Sequence, residues 1–295
     1  MNNPPDGSTP VNPHPLPLSG IRVVSIALNL PGPACAQRLA EFGATVVKVE
    51  PPASLGGDPM QHYAKPYYDE LHRDVEVQTL NLKDETDRAR LDTLLGSADL
   101  LLTSQRDAAL ARLGLGWDQL QTRFAGLGHV AIVGTIEGNE AGHDLTYLAA
   151  AGLATPPQLP KTLVADLAGA ERAVTAAFAL LRLKQQTGRG HRMVVALADA
   201  AAAFSGPYRH GLTRQGGMLA GGHPGYNFYR AQDGWLALAA LEPHFEQRLR
   251  QASGVDFDHV ALSTYFSRHD MQHWAAWAAQ HDIPLAVLSH DTNMA

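Results

Sequence analysis

Asp166 is the residue whose type and setting most suggest chemistry. It stands in Leu163-Val-Ala-Asp-Leu-Ala-Gly-Ala170, at the head of an alanine-rich apolar run that lasts to Leu183. The chain then turns at Thr187-Gly188-Arg189-Gly190 and resumes as the apolar stretch His191 to Leu197. That pattern predicts Asp166 at a helix start, a long buried helix, a glycine turn and a strand. A carboxylate at the mouth of an apolar helix either caps it, accepting hydrogen bonds from the first free amides, or reacts; residue type alone gives the cap. Two further residues invite the same question. His143, beside Asp144, reads from spacing alone as a surface or structural histidine. Glu242 ahead of Pro243 is an ordinary way to begin a helix with proline in its first turn.

The elements that must position these residues alternate in type. Ile21 to Ala27 reads as a strand, Pro31-Gly32-Pro33 as a turn, Ala34 to Phe42 as a helix ended by Gly43, and Ala44 to Val49 as a second strand. This is a β-α-β unit, with parallel strands and a right-handed connection expected. Gly56 to Asp74 is polar, aromatic and irregular and reads as a surface loop. A helix follows to about Gly96, then a strand from Asp99 to Thr103, helical pieces at Ala108–Leu113 and Trp117–Phe124, and a strand from Val130 to Val133. The alternation predicts an α/β fold built on a doubly wound, Rossmann-like parallel sheet, with ligand at the carboxyl ends of its strands. The glycine spacing of a dinucleotide fingerprint is missing, so a nicotinamide cofactor is not expected. Beyond Leu197 come a helix from Ala198 to Phe204, the glycine-rich Gly211 to Gly225, a β-hairpin turning at Asp233-Gly234, and helices at Pro243–Ala252 and His269–His281. The expected organisation is a flexible tail over 1–17, a large α/β domain over 18–210, and a linker with a smaller α+β domain over 211–295.

Several segments resemble class III CoA-transferases of the CaiB/BaiF type, a family that includes the α-methylacyl-CoA racemases. Leu18-Ser-Gly-Ile-Arg-Val-Val24, then Glu41-Phe-Gly-Ala-Thr-Val-Val-Lys-Val-Glu-Pro-Pro52, is similar to the family's opening, and Ala165-Asp-Leu-Ala-Gly169 followed by Thr187-Gly-Arg-Gly-His191 is similar to its central motif. The resemblance implies that Asp166 is the reacting carboxylate. Ala141-Gly-His-Asp144 resembles the racemases' Gly-His-Asp segment, which implies His143 as a catalytic base. Leu241-Glu242-Pro243 resembles their small-domain Glu-Pro motif, which implies that Glu242 assists the aspartate. Transferases of the family more often lack both features, so the racemase branch is the nearer match.

The implied chemistry suits these residue types. Exchange of a hydrogen on the carbon next to a thioester needs one base to remove a proton and a conjugate acid on the other face to return one. An imidazole and a carboxyl group can supply both roles, and a second carboxylate such as Glu242 can share a proton with Asp166 and raise its pKa. In the transferase alternative, Asp166 attacks an acyl-CoA and becomes an aspartyl-CoA thioester. A third alternative is a non-catalytic relative that binds a CoA ester or a partner subunit.

CoA enters only as part of the substrate; no permanently bound cofactor and no metal site are expected. The family holds CoA with an Arg-Pro-Gly segment, of which Arg106 keeps its place while Asp107 and Ala108 replace the other two residues. Of a basic stretch that here reads His72-Arg73-Asp74-Val75-Glu76, Arg73 remains, as does Lys83 in the Leu80-Asn-Leu-Lys-Asp84 motif after it, so Arg106 should do most of the phosphate pairing. Pro31 and Gly32 are expected close by, at the ligand edge of the sheet.

Composition narrows the partners. With 295 residues and 45% hydrophobic content the chain can bury a large core. A formal charge of −6 argues against a nucleic-acid partner, so a polyanion must be held by local positive charge. The single cysteine, Cys35, cannot form an internal disulfide and reads as packing in the first helix. No apolar run is long enough for a membrane span and no signal-peptide pattern opens the chain, so a cytoplasmic protein is expected. Relatives form interlocked homodimers, whose sites combine the large domain of one chain with the small domain of the other. The resemblance therefore implies a homodimer in which Glu242 approaches Asp166 of the partner subunit, with a ring not fully closed because the chain stops soon after Asp282-Ile283-Pro284.

Overall fold

The computed structural model describes residues 15–137 and 141–289. They fall into two compact units, divided between Phe204 and Ser205, a few residues before the glycine at which the sequence places the boundary. Of the expected tail, residues 1–14 lie outside the described residues, and 15–17 lead into a turn closed by Ser19 N donating to the Leu16 carbonyl.

The first unit contains, in chain order, β1 (Arg22–Ser25), α1 (Pro31–Glu41), β2 (Thr45–Glu50), α2 (Met60–Tyr63), α3 (Lys65–Leu71), β3 (Glu76–Thr79), α4 (Glu85–Gly96), β4 (Leu100–Thr103), α5 (Asp107–Arg112), α6 (Trp117–Arg123), β5 (Gly128–Val133), α7 (Asp144–Ala150), α8 (Val164–Thr187), β6 (Arg192–Ala196) and α9 (Leu197–Phe204). Its six strands are parallel in the order β3-β2-β1-β4-β5-β6. The winding reverses between β1 and β4, and a crevice opens at the carboxyl ends of that pair in such a sheet. One face is covered by α1 and α8, whose buried Cys35, Leu39, Ala173, Ala177 and Leu180 share a core with Val23, Leu100, Leu102 and Val130. The other face buries Leu91, Leu95, Leu110 and Leu120 from α4, α5 and α6 against Val24, Val49 and Leu101. Coverage on both faces explains the near-continuous apolar strands such as Leu100–Thr103. Burial also pushes the Cys35 thiol up, in keeping with a packing role.

Two local readings need correction. Pro31-Gly32-Pro33 is the first turn of α1, not a turn ahead of it: Pro31 supplies the fixed φ that a first helical position tolerates. Gly32 is glycine because a Cβ there would stand 2.2 Å from the Ala27 Cβ, so the helix can start this close to β1 only without a side chain. The stretch Gly56 to Asp74 is helical in α2 and α3, and its Met60, Tyr68 and Leu71 are buried. An edge strand, β3, follows it.

The second unit comprises α10 (Gly206–Arg209), β7 (Tyr226–Arg230), β8 (Gly234–Ala239), α11 (Pro243–Ser253), α12 (His259–Phe266), α13 (Met271–His281) and β9 (Leu285–Ser289). Its antiparallel sheet, β7-β8-β9, includes the expected hairpin, and Leu236, Leu238, Leu249, Phe266 and Trp274 form its core. The second unit is thus a small α+β unit, and the first is Rossmann-like. Among the described residues no helix is long and apolar enough to cross a membrane.

Candidate active site

Helix α8 begins at Val164, with Leu163 as the residue before its first turn, so Asp166 lies at the third helical position and does not cap the helix. The cap comes from elsewhere. Asp144, buried at the start of α7, accepts at one oxygen, Oδ1, from the amides of Ala165 (2.6 Å) and Asp166 (3.1 Å). Those are two of the orphan donors that an α-helix leaves at its N-terminus. Because Asp144 does the work that residue type assigned to Asp166, the Asp166 carboxylate is released from it.

Its electrostatics follow. Partial burial, the dominant cause, and then the neighbouring Asp144 push the Asp166 carboxyl up to about 6, while His143 pulls in the opposite direction. The positive end of α8 also favours the anion, yet desolvation prevails. The Asp166 charge further reaches the phenol of Tyr63, whose pKa rises through burial first, then Asp58, then Asp166.

His143 is exposed immediately before α7, in extended backbone, and its side chain does not cap that helix. It lines a cleft of about 630 Å³ together with Arg106, Arg192, Val133 and Tyr147. Tyr147 enters this wall because Gly134 and Gly142 leave it room: a Cβ on either would come within 2.7 Å of the phenol ring or hydroxyl. Asp166 is not among the residues lining the cleft.

Arg106 sits in extended backbone just before α5, on the loop leaving β4, with its side chain exposed toward the cleft. Arg73 and Lys83 are exposed on the turns flanking β3 and do not line the cleft. Pro31 and Gly32 are buried in the first turn of α1 and do not line it either. Glu242 belongs to the second unit, where it is exposed ahead of α11 with Pro243 in the first turn.

Sequence reasoning missed the group that fixes the β1–α1 turn. Lys48 is fully buried in β2, with its Nζ 2.5 Å from Asp58 Oδ2, 2.7 Å from Glu50 Oε1 and 2.9 Å from His72 Nε2. Since an ammonium only donates, His72 Nε2 must accept, and the Nδ1 proton goes to the Tyr68 carbonyl at 2.6 Å. Burial and then Lys48 push the His72 pKa down, which holds it neutral. Tyr68 donates to Glu50 Oε1 at 2.6 Å and Gln61 to Glu50 Oε2 at 2.7 Å. The second oxygen of Asp58 takes the amides of Asn29 (3.2 Å) and Met60 (2.9 Å). This network thus clips the segment from Asp58 to His72 onto the turn that launches α1. A charged Lys-Val-Glu inside an apolar strand was the available signal, since burial of such groups demands partners.

Comparison with known proteins agrees with this architecture. A sequence model of CoA-transferase family III matches residues 18–294. The chain belongs to that family. It is 31% identical to the human alpha-methylacyl-CoA racemase over 265 residues, which cover 82% of this chain and 66% of the racemase. It is 29% identical to a succinyl-CoA–D-citramalate CoA-transferase of Chloroflexus aurantiacus over 281 residues, covering 86% of this chain and 69% of the transferase. The chain thus spans about two thirds of the length of these relatives. In structure it is similar to a CaiB/BaiF family protein from Brucella suis, with a TM-score of 0.77, 21% identity and coverage of 92% of this chain and 84% of that one. This family III chain therefore shares its fold with that protein, and its relatives include enzymes of both the racemase and the transferase kind.

Proposed function

We propose that this chain exchanges the proton on the carbon next to a CoA thioester, with Asp166 and His143 as the two acid–base groups. The observation that carries the reading is the pairing of a carboxylate, relieved of capping and pushed up to about 6, with an imidazole close enough to act on it electrostatically. A group that titrates near working pH both takes and returns a proton with little bias, which two-base exchange requires. The likeness to the human racemase supports the same chemistry. Arg106, which lines the cleft with His143, is the candidate for the CoA phosphates.

The test is incubation of a 2-methylacyl-CoA with the protein in deuterated water. Enzyme-dependent deuterium at the α-carbon is expected, falling by roughly 10²–10⁴-fold in Asp166→Ala and in His143→Ala. Exchange that requires Asp166 as the base should also fall as pH drops below about 6. An absence of exchange by the wild-type protein would refute the reading.

The transferase alternative rests on the similarity to CoA-transferases at like identity. Its signature is an aspartyl-CoA thioester on Asp166, trapped by hydroxylamine and located by peptide mass spectrometry after exposure to an acyl-CoA. We further infer a homodimer in which Glu242 approaches Asp166 of the partner subunit. Mixing inactive Asp166→Ala and Glu242→Ala chains under exchange conditions should then restore activity, and a stable monomer by light scattering would count against it.

A further inference from the structure

Arg192, at the start of β6, lines the same cleft as Arg106 and His143. Its Nη2 donates to Asp107 Oδ1 at 2.6 Å, while its Nε is buried without an acceptor among the described residues. Asp107 is the first residue of α5 and directly follows Arg106. Its side chain is 66% exposed, against 21% for Arg192. The Arg106 side chain forms no ion pair among the described residues. The cleft therefore holds two guanidiniums, one open and one occupied by a carboxylate on a neighbouring, solvated backbone position.

Such a carboxylate is an easily displaced partner. Ion pairs this exposed on one side contribute little to stability, so breaking the contact takes little free energy. A phosphate offers the guanidinium a bidentate acceptor with more charge and can also engage the idle Nε. Until it moves, Asp107 both fills Arg192 and repels an anion arriving at Arg106.

We propose that Arg192 is a second phosphate-binding residue of this cleft and that Asp107 is a built-in competitor occupying it until the phosphates of a CoA ester arrive. This rests on the reading of the cleft as the CoA site. Asp107 then sets the CoA affinity of this chain, weakening it by direct competition.

Calorimetric titration with CoA tests the proposal. Asp107→Ala, and Asp107→Asn, which keeps a polar helix start, should each tighten binding by about three- to tenfold. Arg192→Gln should weaken it by about tenfold and cancel the gain in an Asp107→Ala, Arg192→Gln double variant, because the two groups act through one contact. Titration with inorganic phosphate should show the same ordering at much weaker affinity if the phosphate group is what Arg192 recognises. An unchanged affinity in both Asp107 variants, or an equal gain with and without Arg192, overturns the proposal. If Arg106→Ala still weakens CoA binding in that case, the CoA reading survives. If neither the wild type nor Asp107→Ala binds CoA, both fall.

Discussion

Asp58 and Asp166 lie in the same unit, and the more deeply buried of the two is the one the fold supplies with charge and donors. Asp58 is fully buried, yet one oxygen meets the Lys48 ammonium and the other takes two backbone amides. Asp166 is only partly buried, has a second carboxylate as its neighbour, and is pushed up to about 6. Depth of burial alone therefore does not decide how well a carboxylate is compensated. What counts is whether the fold supplies compensating charge and donors, as around Lys48, or gives those donors to another residue, as Asp144 does.

Substitutions can break that contrast at either end. The largest loss of stability is expected from Asp58→Ala, which strips Lys48 of a partner in a dry site and leaves two amides unsatisfied. About 3–5 kcal/mol should be lost in chemical denaturation. Asp58→Asn keeps an oxygen for those amides and should lose less. If both substitutions prove neutral, the network is not what clips the β1–α1 turn in place.

Asp166→Asn should act in the opposite direction. Folding raises this carboxyl from 3.8 to about 6, so its contribution to stability is fully present below pH 4 and is lost as pH rises through 6. The neutral amide escapes that loss. Discounted for partial exposure, the variant should be more stable by on the order of 2 kcal/mol at pH 7 and equal to the wild type near pH 4. A gain that does not depend on pH would show that the carboxylate is not electrostatically strained.

Asp144→Ala should lower stability by about 1–2 kcal/mol through the loss of a helix cap, while Asp144→Asn, which retains an acceptor, should lose much less. Both should bring the Asp166 pKa down, by removing a like charge, which carboxyl-region NMR titration can follow. As a baseline, Lys65→Ala breaks the exposed Lys65–Asp69 pair and should change stability by less than about 0.5 kcal/mol.

Much of this contrast lay outside the reach of the sequence. The long alanine-rich helix and the glycine turn after it are local patterns, so α8, β6 and the approximate place of Asp166 were legible. The cap was not, because its acceptor comes from Asp144, 21 residues away in the chain. Helices α2 and α3 were hidden because their buried faces are carried by scattered residues, with Tyr68 packing on a polar cluster and Ala64, in non-helical backbone, dividing the stretch into two short pieces. The edge strand β3, Glu-Val-Gln-Thr, has no buried face to show. Arg106 stands in a recognisable motif, whereas Arg192 is a lone charge in an apolar strand whose partner, Asp107, lies 85 residues away in the chain.

The reach of Asp144 from one helix to the amides of another has a consequence for timing. Leu167 N closes the first turn of α8 on the Leu163 carbonyl, but the amides of Ala165 and Asp166 find their acceptor only when the segment carrying His143 and Asp144 is docked. Any fluctuation that lifts that segment frees the amides of Ala165 and Asp166 together. Their hydrogen exchange with solvent would then act as a clock for how often the imidazole and the carboxylate part company.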